Sequence, residues 1–149
     1  MTETHRNHRS SCPINAALEV LGDRWSLLIV RDLMFAGART YKDFQSSEEG
    51  IATNILASRL RTLQASGIVT SRRDPEDGRS QIYRLTTKGV DLAPVLMELS
   101  RWGSRFEDGE PRHGLLRAWD ADPQAFLTRL RGAMLETEAS QTPGRPRDN

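Results

Sequence analysis

The apolar residues between positions 52 and 67 recur at the period of an α-helix. Leu56, Leu60 and Leu63 stand at i, i+4 and i+7 and form one stripe. Thr53 is expected to cap the helix, because its hydroxyl can accept hydrogen bonds from the free N–H groups of the first turn. Gly67 can take the left-handed conformation in which many helices end. The pattern predicts an amphipathic helix with a polar face opposite the leucines.

A β-hairpin is predicted directly after this helix. The β-branched run 68–70 favours a strand, and a second run at 82–85 favours its return. Residues 75–78 between them are Pro-Glu-Asp-Gly, in which proline fixes φ and glycine permits a positive φ. Thr86 or Thr87 can then cap a further helix. This order of elements is typical of a winged helix, a helix-turn-helix variant that binds DNA.

Three more helices are predicted upstream. Pro13 suits the first position of a helix. Residues 24–34 form a second helix with little polar face, which predicts a central position. Thr40 and Asp43 are spaced like a capping box at the start of a short helix. The polar, glycine-containing link at 46–51 joins this short helix to the one with the leucine stripe, and the two make a helix-turn-helix pair.

Composition limits the class of protein. The chain has 149 residues, of which 37% are hydrophobic, and this supports one domain with appendages. No wholly apolar run is longer than the four residues at 27–30, so no segment is expected to span a membrane. The single cysteine excludes an internal disulfide framework. Together with a polar N-terminus that lacks a signal-peptide core, it predicts a cytoplasmic protein.

Positive charge is concentrated in the helix and the hairpin. The whole chain carries +1, whereas residues 52–90 hold seven basic and three acidic residues, a local charge of +4. A nearly neutral chain with one basic element indicates a localised contact with phosphates. At about 100° per residue, the polar face of the helix lies opposite the leucines. The candidate DNA-binding residues are Thr53, Asn54, Ala57, Ser58, Arg61, Arg72, Arg73 and Arg79.

Five short motifs stand in order along residues 12–106. They are Cys-Pro-Ile, Gly-Asp-Arg-Trp, Ile-Ala-Thr-Asn-Ile-Leu, Tyr-x-Leu-Thr-x-Lys-Gly and Trp-Gly. The set resembles the HxlR-type transcriptional regulators, and residues 74–79 resemble the wing of the related MarR regulators. The resemblance implies a homodimeric repressor or activator that binds a partly palindromic operator in double-stranded DNA. We expect a mainly α fold with a small β-hairpin (α+β), a winged helix-turn-helix with additional N- and C-terminal helices for dimerisation.

A long apolar stripe after Thr86 bears on assembly. Pro94 lies within it and should bend the helix or delay its regular hydrogen bonding. The stripe can pack on its own domain or, as the resemblance implies, on the same helix and the first helix of a second subunit. A small winged helix has little core left to cover a stripe of this length, which favours a homodimer. The expected interface residues are Ile14, Leu18, Leu92, Leu96, Leu99, Trp102 and Phe106.

The sequence changes character after Gly109. An apolar cluster at 115–119 precedes Asp122 and Pro123, which suit the cap and the first residue of a helix. This extra helix either packs on the dimer core or forms a lid over a pocket for a small-molecule effector. The expected organisation is a flexible tail at 1–11, the winged helix-turn-helix domain with its dimerisation helix at 12–109, a helical extension at 110–140 and a disordered tail at 141–149.

Cys12 has two interpretations. A lone cysteine at a helix start is usually a small, half-buried residue. The free N–H groups and the dipole of a helix N-terminus also stabilise a thiolate, and Arg9 and Arg24 can add to this effect. Some HxlR-type proteins use a cysteine at the Cys-Pro-Ile position to sense oxidants or electrophiles. Cys12 is therefore a candidate redox-sensing residue, with a structural role as the alternative.

Other classes of site are weakly supported. His5, His8 and Cys12 are metal-ligand types, but zinc usually takes four ligands, so no metal site is predicted. No P-loop, GxSxG or HExxH motif is present, and Cys12 lacks an evident general base, so no catalytic residue or cofactor is expected. The acidic residues at 74–77 are interpreted as turn residues. A winged-helix scaffold for protein interactions is the alternative to DNA binding, and it would present apolar residues on the helix after Thr53.

Overall fold

The structure, a computed structural model, describes residues 9–107, 109 and 113–139. Most of this part of the chain is helical, and its two strands pair as one hairpin, which confirms the predicted fold class. Two compact units are present, one up to Arg84 and one from Leu85. The elements are α1 (Pro13–Leu21), α2 (Ser26–Phe35), α3 (Tyr41–Gln45), α4 (Thr53–Ala65), β1 (Val69–Arg73), β2 (Gln81–Leu85), α5 (Thr87–Val90), α6 (Ala93–Phe106), α7 (His113–Ala121) and α8 (Pro123–Ala139).

Helix α2 supplies the centre of the first unit, as its sparse polar face predicted. Ile29, Val30 and Leu33 are buried, together with Phe44 of α3. The leucine stripe of α4 is also fully buried in this core. Burial of each leucine side chain contributes roughly 1.5–3 kcal/mol to the free energy of folding. The leucines therefore hold α4 against the core, and the opposite face of the helix is directed outward.

The start of α4 differs from the prediction. Ala52 takes the cap position with an extended backbone, and no side chain caps the helix there. Thr53 is the first helical residue, and its Oγ1 accepts a hydrogen bond from Nε2 of Gln45 at 2.7 Å. The Thr53 hydroxyl therefore joins α3 to α4 across the turn instead of capping its own helix.

Several other predicted boundaries are confirmed. Thr40 and Asp43 form a complete capping box on α3. Gly67 has φ +71° and ends α4 in the left-handed conformation. Oγ1 of Thr86 accepts a hydrogen bond from the N–H of Gly89 at 3.2 Å and so caps α5. Oδ1 of Asp122 accepts from the N–H of Ala125 at 2.9 Å at the start of α8.

The helix expected after Thr86 is divided into two. Helix α5 ends at Val90, and α6 begins at Ala93, with Pro94 in its first turn. The N–H groups in the first turn of a helix have no acceptor within the helix, so a proline there costs no helical hydrogen bond. The chain therefore breaks before Pro94, and α6 continues regularly after it. The prediction of one helix with Pro94 inside it was therefore wrong, because the chain breaks before Pro94 instead of bending at it.

The C-terminal unit contains a helix, α7, that the apolar pattern of the sequence does not predict. The apolar cluster at 115–119 lies on α7, and Leu116 and Trp119 are buried with Phe126 of α8. The Trp119 and Phe126 rings pack edge to face with centroids 5.6 Å apart. In the described part of the chain, no helix is both long and apolar enough to cross a membrane. The predicted tail at 141–149 lies outside the described residues.

Candidate nucleic-acid interface

The face of α4 opposite the buried leucines is open to solvent. Thr53, Asn54 and Arg61 are exposed, and Ala57 and Ser58 between them are half-buried. Amide, hydroxyl and guanidinium groups on one helix face can hydrogen-bond base edges or phosphates, and a small alanine permits close approach. Asn54, Ser58 and Arg61 therefore share a mainly polar surface with the small Ala57, and Thr53 lies at the N-terminal end of the helix beside it.

Ile55 also reaches this surface, although the sequence analysis assigned it no role. Ile55 is 36% exposed, and it is the only large apolar residue of α4 that is exposed. An aliphatic side chain in the major groove can contact the methyl group of thymine. Ile55 lies about 100° around the helix from Asn54 and outside the leucine stripe, so its exposure could have been predicted from the same helical projection.

The turn between α3 and α4 is tied to α2 by an ion-pair network. Nη1 and Nη2 of Arg31 donate to the two carboxylate oxygens of Glu49 at 2.6 and 3.0 Å, and Nε donates to Oδ1 of Asp32 at 2.8 Å. The Ser47 hydroxyl donates to Oδ2 of Asp32 at 2.9 Å and lies 3.2 Å from Oε2 of Glu49. Hydrogen bonds from Arg31 lower the pKa of Glu49 to about 2. None of these three acidic and basic residues was singled out from the sequence.

Two of the three predicted wing arginines project into solvent. Arg73 ends β1 and Arg79 precedes β2, and both are exposed. Arg72 is half-buried, and its Nε and Nη2 atoms are enclosed with no hydrogen-bond partner in the described structure. Arg73 and Arg79 are therefore better placed than Arg72 to reach a phosphate.

Two of the three acidic residues at the wing tip, Asp74 and Asp77, stabilise the turn, as the sequence predicted. Oδ1 of Asp74 accepts from the N–H of Glu76 at 2.9 Å. Asp77 accepts from the N–H of Arg79 at 3.1 Å and from the hydroxyl of Ser80 at 2.8 Å. Their carboxylates therefore stabilise the loop that presents Arg79.

The wing is anchored to the helices by backbone and side-chain bonds. The N–H of Tyr83 in β2 donates to the carbonyl of Arg39 at 2.8 Å, and Nε2 of Gln64 in α4 donates to Oγ of Ser71 in β1 at 2.8 Å. The Tyr83 ring lies edge to face with Tyr41 at 5.9 Å. Burial and the hydrogen bond with Tyr41 raise the pKa of Tyr83 to about 12. The hairpin is thus held in a fixed position relative to α4.

Apolar side chains are exposed on two helices outside this face. On α1, Ile14 is 70% and Leu18 is 58% exposed. On α6, Leu99, Trp102 and Phe106 are 50–60% exposed, whereas Leu92 and Leu96 of the same predicted stripe are half-buried. The outer part of the predicted interface is therefore uncovered in the single chain.

Cys12 is exposed at the cap position of α1. Its N–H donates to Oγ of Ser10 at 3.3 Å, and no side chain caps the helix. The guanidinium of Arg24 lies over the Trp25 ring, 5.2 Å from its centre. Within the described residues, no group of three His, Cys, Asp or Glu side chains could hold a metal ion, and His5 and His8 lie outside those residues.

Comparison with known proteins identifies the family. A family model described as HxlR-like helix-turn-helix matches residues 20–111, which include α2–α6 and the hairpin. The chain belongs to the HxlR-like family. It is a DNA-binding transcriptional regulator, and α3, α4 and the turn between them lie within the matched segment. An interaction scaffold with an apolar α4 face does not fit this assignment.

Individual proteins that are similar to this chain are also transcriptional regulators. YodB of Bacillus subtilis, an HTH-type transcriptional regulator, is 35% identical over 96 residues, which cover 64% of this chain and 85% of YodB. The structure of reduced YodB has a TM-score of 0.54 at 32% identity, covering 68% of this chain and 100% of that one. The structure of the redox regulator HypR in its oxidized form has a TM-score of 0.56 at 27% identity, covering 63% of this chain and 96% of HypR.

One relative also matches the C-terminal extension. The uncharacterized HTH-type transcriptional regulator Rv3095 of Mycobacterium tuberculosis is 31% identical over 137 residues. The match covers 88% of this chain and 85% of Rv3095, so it must reach beyond the family segment into α8. The similarity to Rv3095 therefore extends into the sequence that forms α7 and α8 in this chain.

Proposed function

We propose that this regulator acts as a homodimer on a partly palindromic operator. The observation that carries the proposal is the exposed apolar face of α6, where Leu99, Trp102 and Phe106 stand at helical spacing. Large aromatic and aliphatic side chains exposed together on one helix indicate a binding surface rather than a solvated face. A second copy of the chain is the proposed occupant, because a twofold axis would cover the same residues on both subunits.

The α1 helix is proposed to join this interface through Ile14 and Leu18. Both side chains are more than half exposed, and they stand one helical turn apart. The half-buried Leu92 and Leu96 are proposed to contribute less than the outer residues. Twofold pairing would present two copies of α4 to successive major grooves, with half-sites about one helical turn or a multiple of it apart.

The proposed division of DNA contacts follows the exposure of the side chains. Asn54, Ser58 and Arg61 contact base edges, and Ala57 lets the helix approach the groove closely. Thr53, the first residue of α4, contacts the sugar-phosphate backbone of the DNA. Arg73 and Arg79 contact phosphates beside the groove, with a smaller contribution from the half-buried Arg72. Because the chromosome is the partner, we infer that the protein works in the cytoplasm.

Regulation is proposed to act through Cys12. The thiol is exposed at the start of α1, a helix proposed to lie at the subunit interface. An adduct there would shift α1 and change the spacing of the two recognition helices. The relative HypR is described as a redox regulator, which supports an oxidant or electrophile as the signal. A small-molecule effector that binds elsewhere is the alternative.

Two measurements test the proposed function together. Sedimentation at micromolar concentration should give a dimer, and recovery of bound chromosomal fragments should give sites with two related half-sites. The recovery of bound fragments is repeated after the cells are exposed to an oxidant, and the protein should then dissociate from its sites. A monomer in solution that also occupies its site as one monomer would overturn the dimer and the operator symmetry.

A further inference from the structure

The turn of the helix-turn-helix is held by side chains that do not belong to the DNA-facing surface. Arg31 on α2 and Glu49 in the turn make a two-point contact, with Nη1–Oε1 at 2.6 Å and Nη2–Oε2 at 3.0 Å. Two parallel hydrogen bonds between a guanidinium and a carboxylate fix the relative orientation of the two groups as well as the distance between them. The ion pair therefore fixes the orientation of residue 49 relative to α2.

The contact is reinforced from both sides. Asp32, which is 8% exposed, accepts from Nε of Arg31 and from the Ser47 hydroxyl. Oε2 of Glu49 lies 3.2 Å from the same hydroxyl, so Ser47 bridges the two carboxylates. The four side chains form a closed ring of hydrogen bonds between α2 and the first residues of the turn.

The turn leads directly into the recognition helix. Gly50 follows Glu49 with φ +65°, Ile51 is buried, and α4 begins at Thr53. Gln45 and Thr53 bond across the turn at 2.7 Å, so its two ends are also linked. Any movement of residue 49 is therefore passed over three residues to the N-terminal turn of α4, which carries Asn54.

We propose that Arg31 and Glu49 are positioning residues for DNA readout, which set the orientation of α4 in the major groove through the turn. Neither side chain needs to touch DNA for this role. The inference rests on the DNA-binding function of α4 and not on the proposed dimer. Removing one partner of a partly buried ion pair destabilises the fold, and a two-point pair such as this one also fixes one geometry.

The physical consequence separates specific from non-specific binding. Non-specific binding depends on phosphate neutralisation and is insensitive to small rotations of the helix. Base readout depends on hydrogen-bond geometry at each base edge. Loss of the ion pair should therefore lower affinity for the operator and leave affinity for unrelated DNA nearly unchanged.

The decisive variant is Glu49→Gln, with Glu48→Gln as its matched control. Glu48 is the adjacent residue, is exposed, and loses the same charge on substitution. The specific probe is a duplex of about 30 base pairs that the parent enriches from random DNA, which is long enough for two half-sites. The non-specific probe is a scrambled duplex of the same base composition. A second control, Asp91→Asn, removes the exposed Arg131–Asp91 ion pair of the C-terminal unit and tests whether the loss of an ion pair outside the turn changes the result.

The expected result is a change in one ratio. Glu49→Gln should lower the ratio of specific to non-specific affinity about tenfold, an effect equivalent to one mismatched base pair. Glu48→Gln and Asp91→Asn should leave the ratio within about twofold of the parent, because a lower folded fraction weakens both affinities equally. Amide hydrogen exchange should rise at residues 47–55 in Glu49→Gln alone.

Equal ratios in Glu49→Gln and Glu48→Gln would overturn the proposal. If Glu49→Gln does not fold, Ser47→Ala takes its place, because it removes the bridging hydroxyl and keeps every charge. Its ratio should fall about threefold, and an unchanged ratio would count against the proposal in the same way. A parent that sediments as a monomer but retains a high ratio would refute the dimer and leave the positioning role intact.

Discussion

Arg59 and Asp23 form an ion pair, with Nη1 of Arg59 3.6 Å from Oδ1 of Asp23. Asp23 stands before α2 and also accepts hydrogen bonds from the N–H groups of Trp25 and Ser26. The basic residues of α4 are thereby divided between two tasks. Arg59 connects α4 to the start of α2, whereas Arg61, two positions later, is exposed on the opposite side.

This division gives a matched pair of substitutions on one helix. If Arg61 contacts a guanine through two hydrogen bonds, Arg61→Ala should cost about 1–3 kcal/mol of operator binding and relax specificity at one position. Arg59→Ala removes the same charge and should reduce the preference for operator over scrambled DNA less than Arg61→Ala does, because the Arg59–Asp23 contact is long at 3.6 Å. Titration of both duplexes with both variants measures this. Equal losses on the two duplexes would assign Arg61 to a phosphate, and no loss on either would remove it from the interface.

Part of this surface could be predicted because it depends on local spacing. The leucines at 56, 60 and 63 define the buried face of α4, and the polar face follows from helix geometry alone. The capping box of Thr40 and Asp43 and the left-handed Gly67 are also local signals. The resemblance to the family then supplied the function that such a surface serves.

The remaining features depend on contacts between distant positions. Arg31 and Glu49 are 18 positions apart, and each alone resembles a solvated charge. Thr53 is a good capping residue by type, but Gln45 engages its hydroxyl. The helical state of α7 depends on burial of Leu116 and Trp119, which its short apolar run does not reveal. Tertiary packing decided each of these outcomes over local preference.

The wing arginines should differ in their effect on salt dependence. A substitution that removes one arginine–phosphate interaction should reduce the slope of log affinity against log salt by about one unit, independently of DNA sequence. We expect Arg73→Ala and Arg79→Ala to show this change. Arg72→Ala should show less of it, because two of its guanidinium nitrogens are enclosed. Affinity is measured from low to physiological salt, and a triple variant with the parent's slope would exclude a phosphate role for the wing.

The exposed face of α6 predicts the effect of a charge at its centre. Leu99→Glu would bury a carboxylate in the proposed interface and should dissociate the dimer. Because Leu99 is 50% exposed in the single chain, the fold of the monomer should survive. Sedimentation velocity reports the change in assembly, and circular dichroism controls for folding. A Leu99→Glu protein that remains dimeric would place the interface elsewhere.

The network at the turn predicts a specific response to acid. Hydrogen bonds from Arg31 lower the pKa of Glu49 from its ordinary value of 4.5 to about 2 in the folded chain. Its ionised form therefore stabilises the fold above pH 4.5, and this contribution is lost as the pH falls toward 2. Glu49→Gln should be less stable than the parent at neutral pH, and the gap should narrow below pH 4.5. Urea titrations between pH 7 and 2.5 test this, and a constant gap would contradict it.

Oxidation of Cys12 should weaken operator binding, because the thiol is exposed where α1 begins. A bulky or charged adduct there would displace a helix proposed to lie at the dimer interface, and half-site spacing would no longer match the DNA. With one cysteine per chain, any disulfide must join two subunits or a subunit and a small thiol. The comparison is operator affinity of the parent and of Cys12→Ser, each reduced and treated with diamide. Only the treated parent should lose affinity. An equal loss in Cys12→Ser, or none in the parent, would assign Cys12 a structural role and leave regulation to a separate ligand.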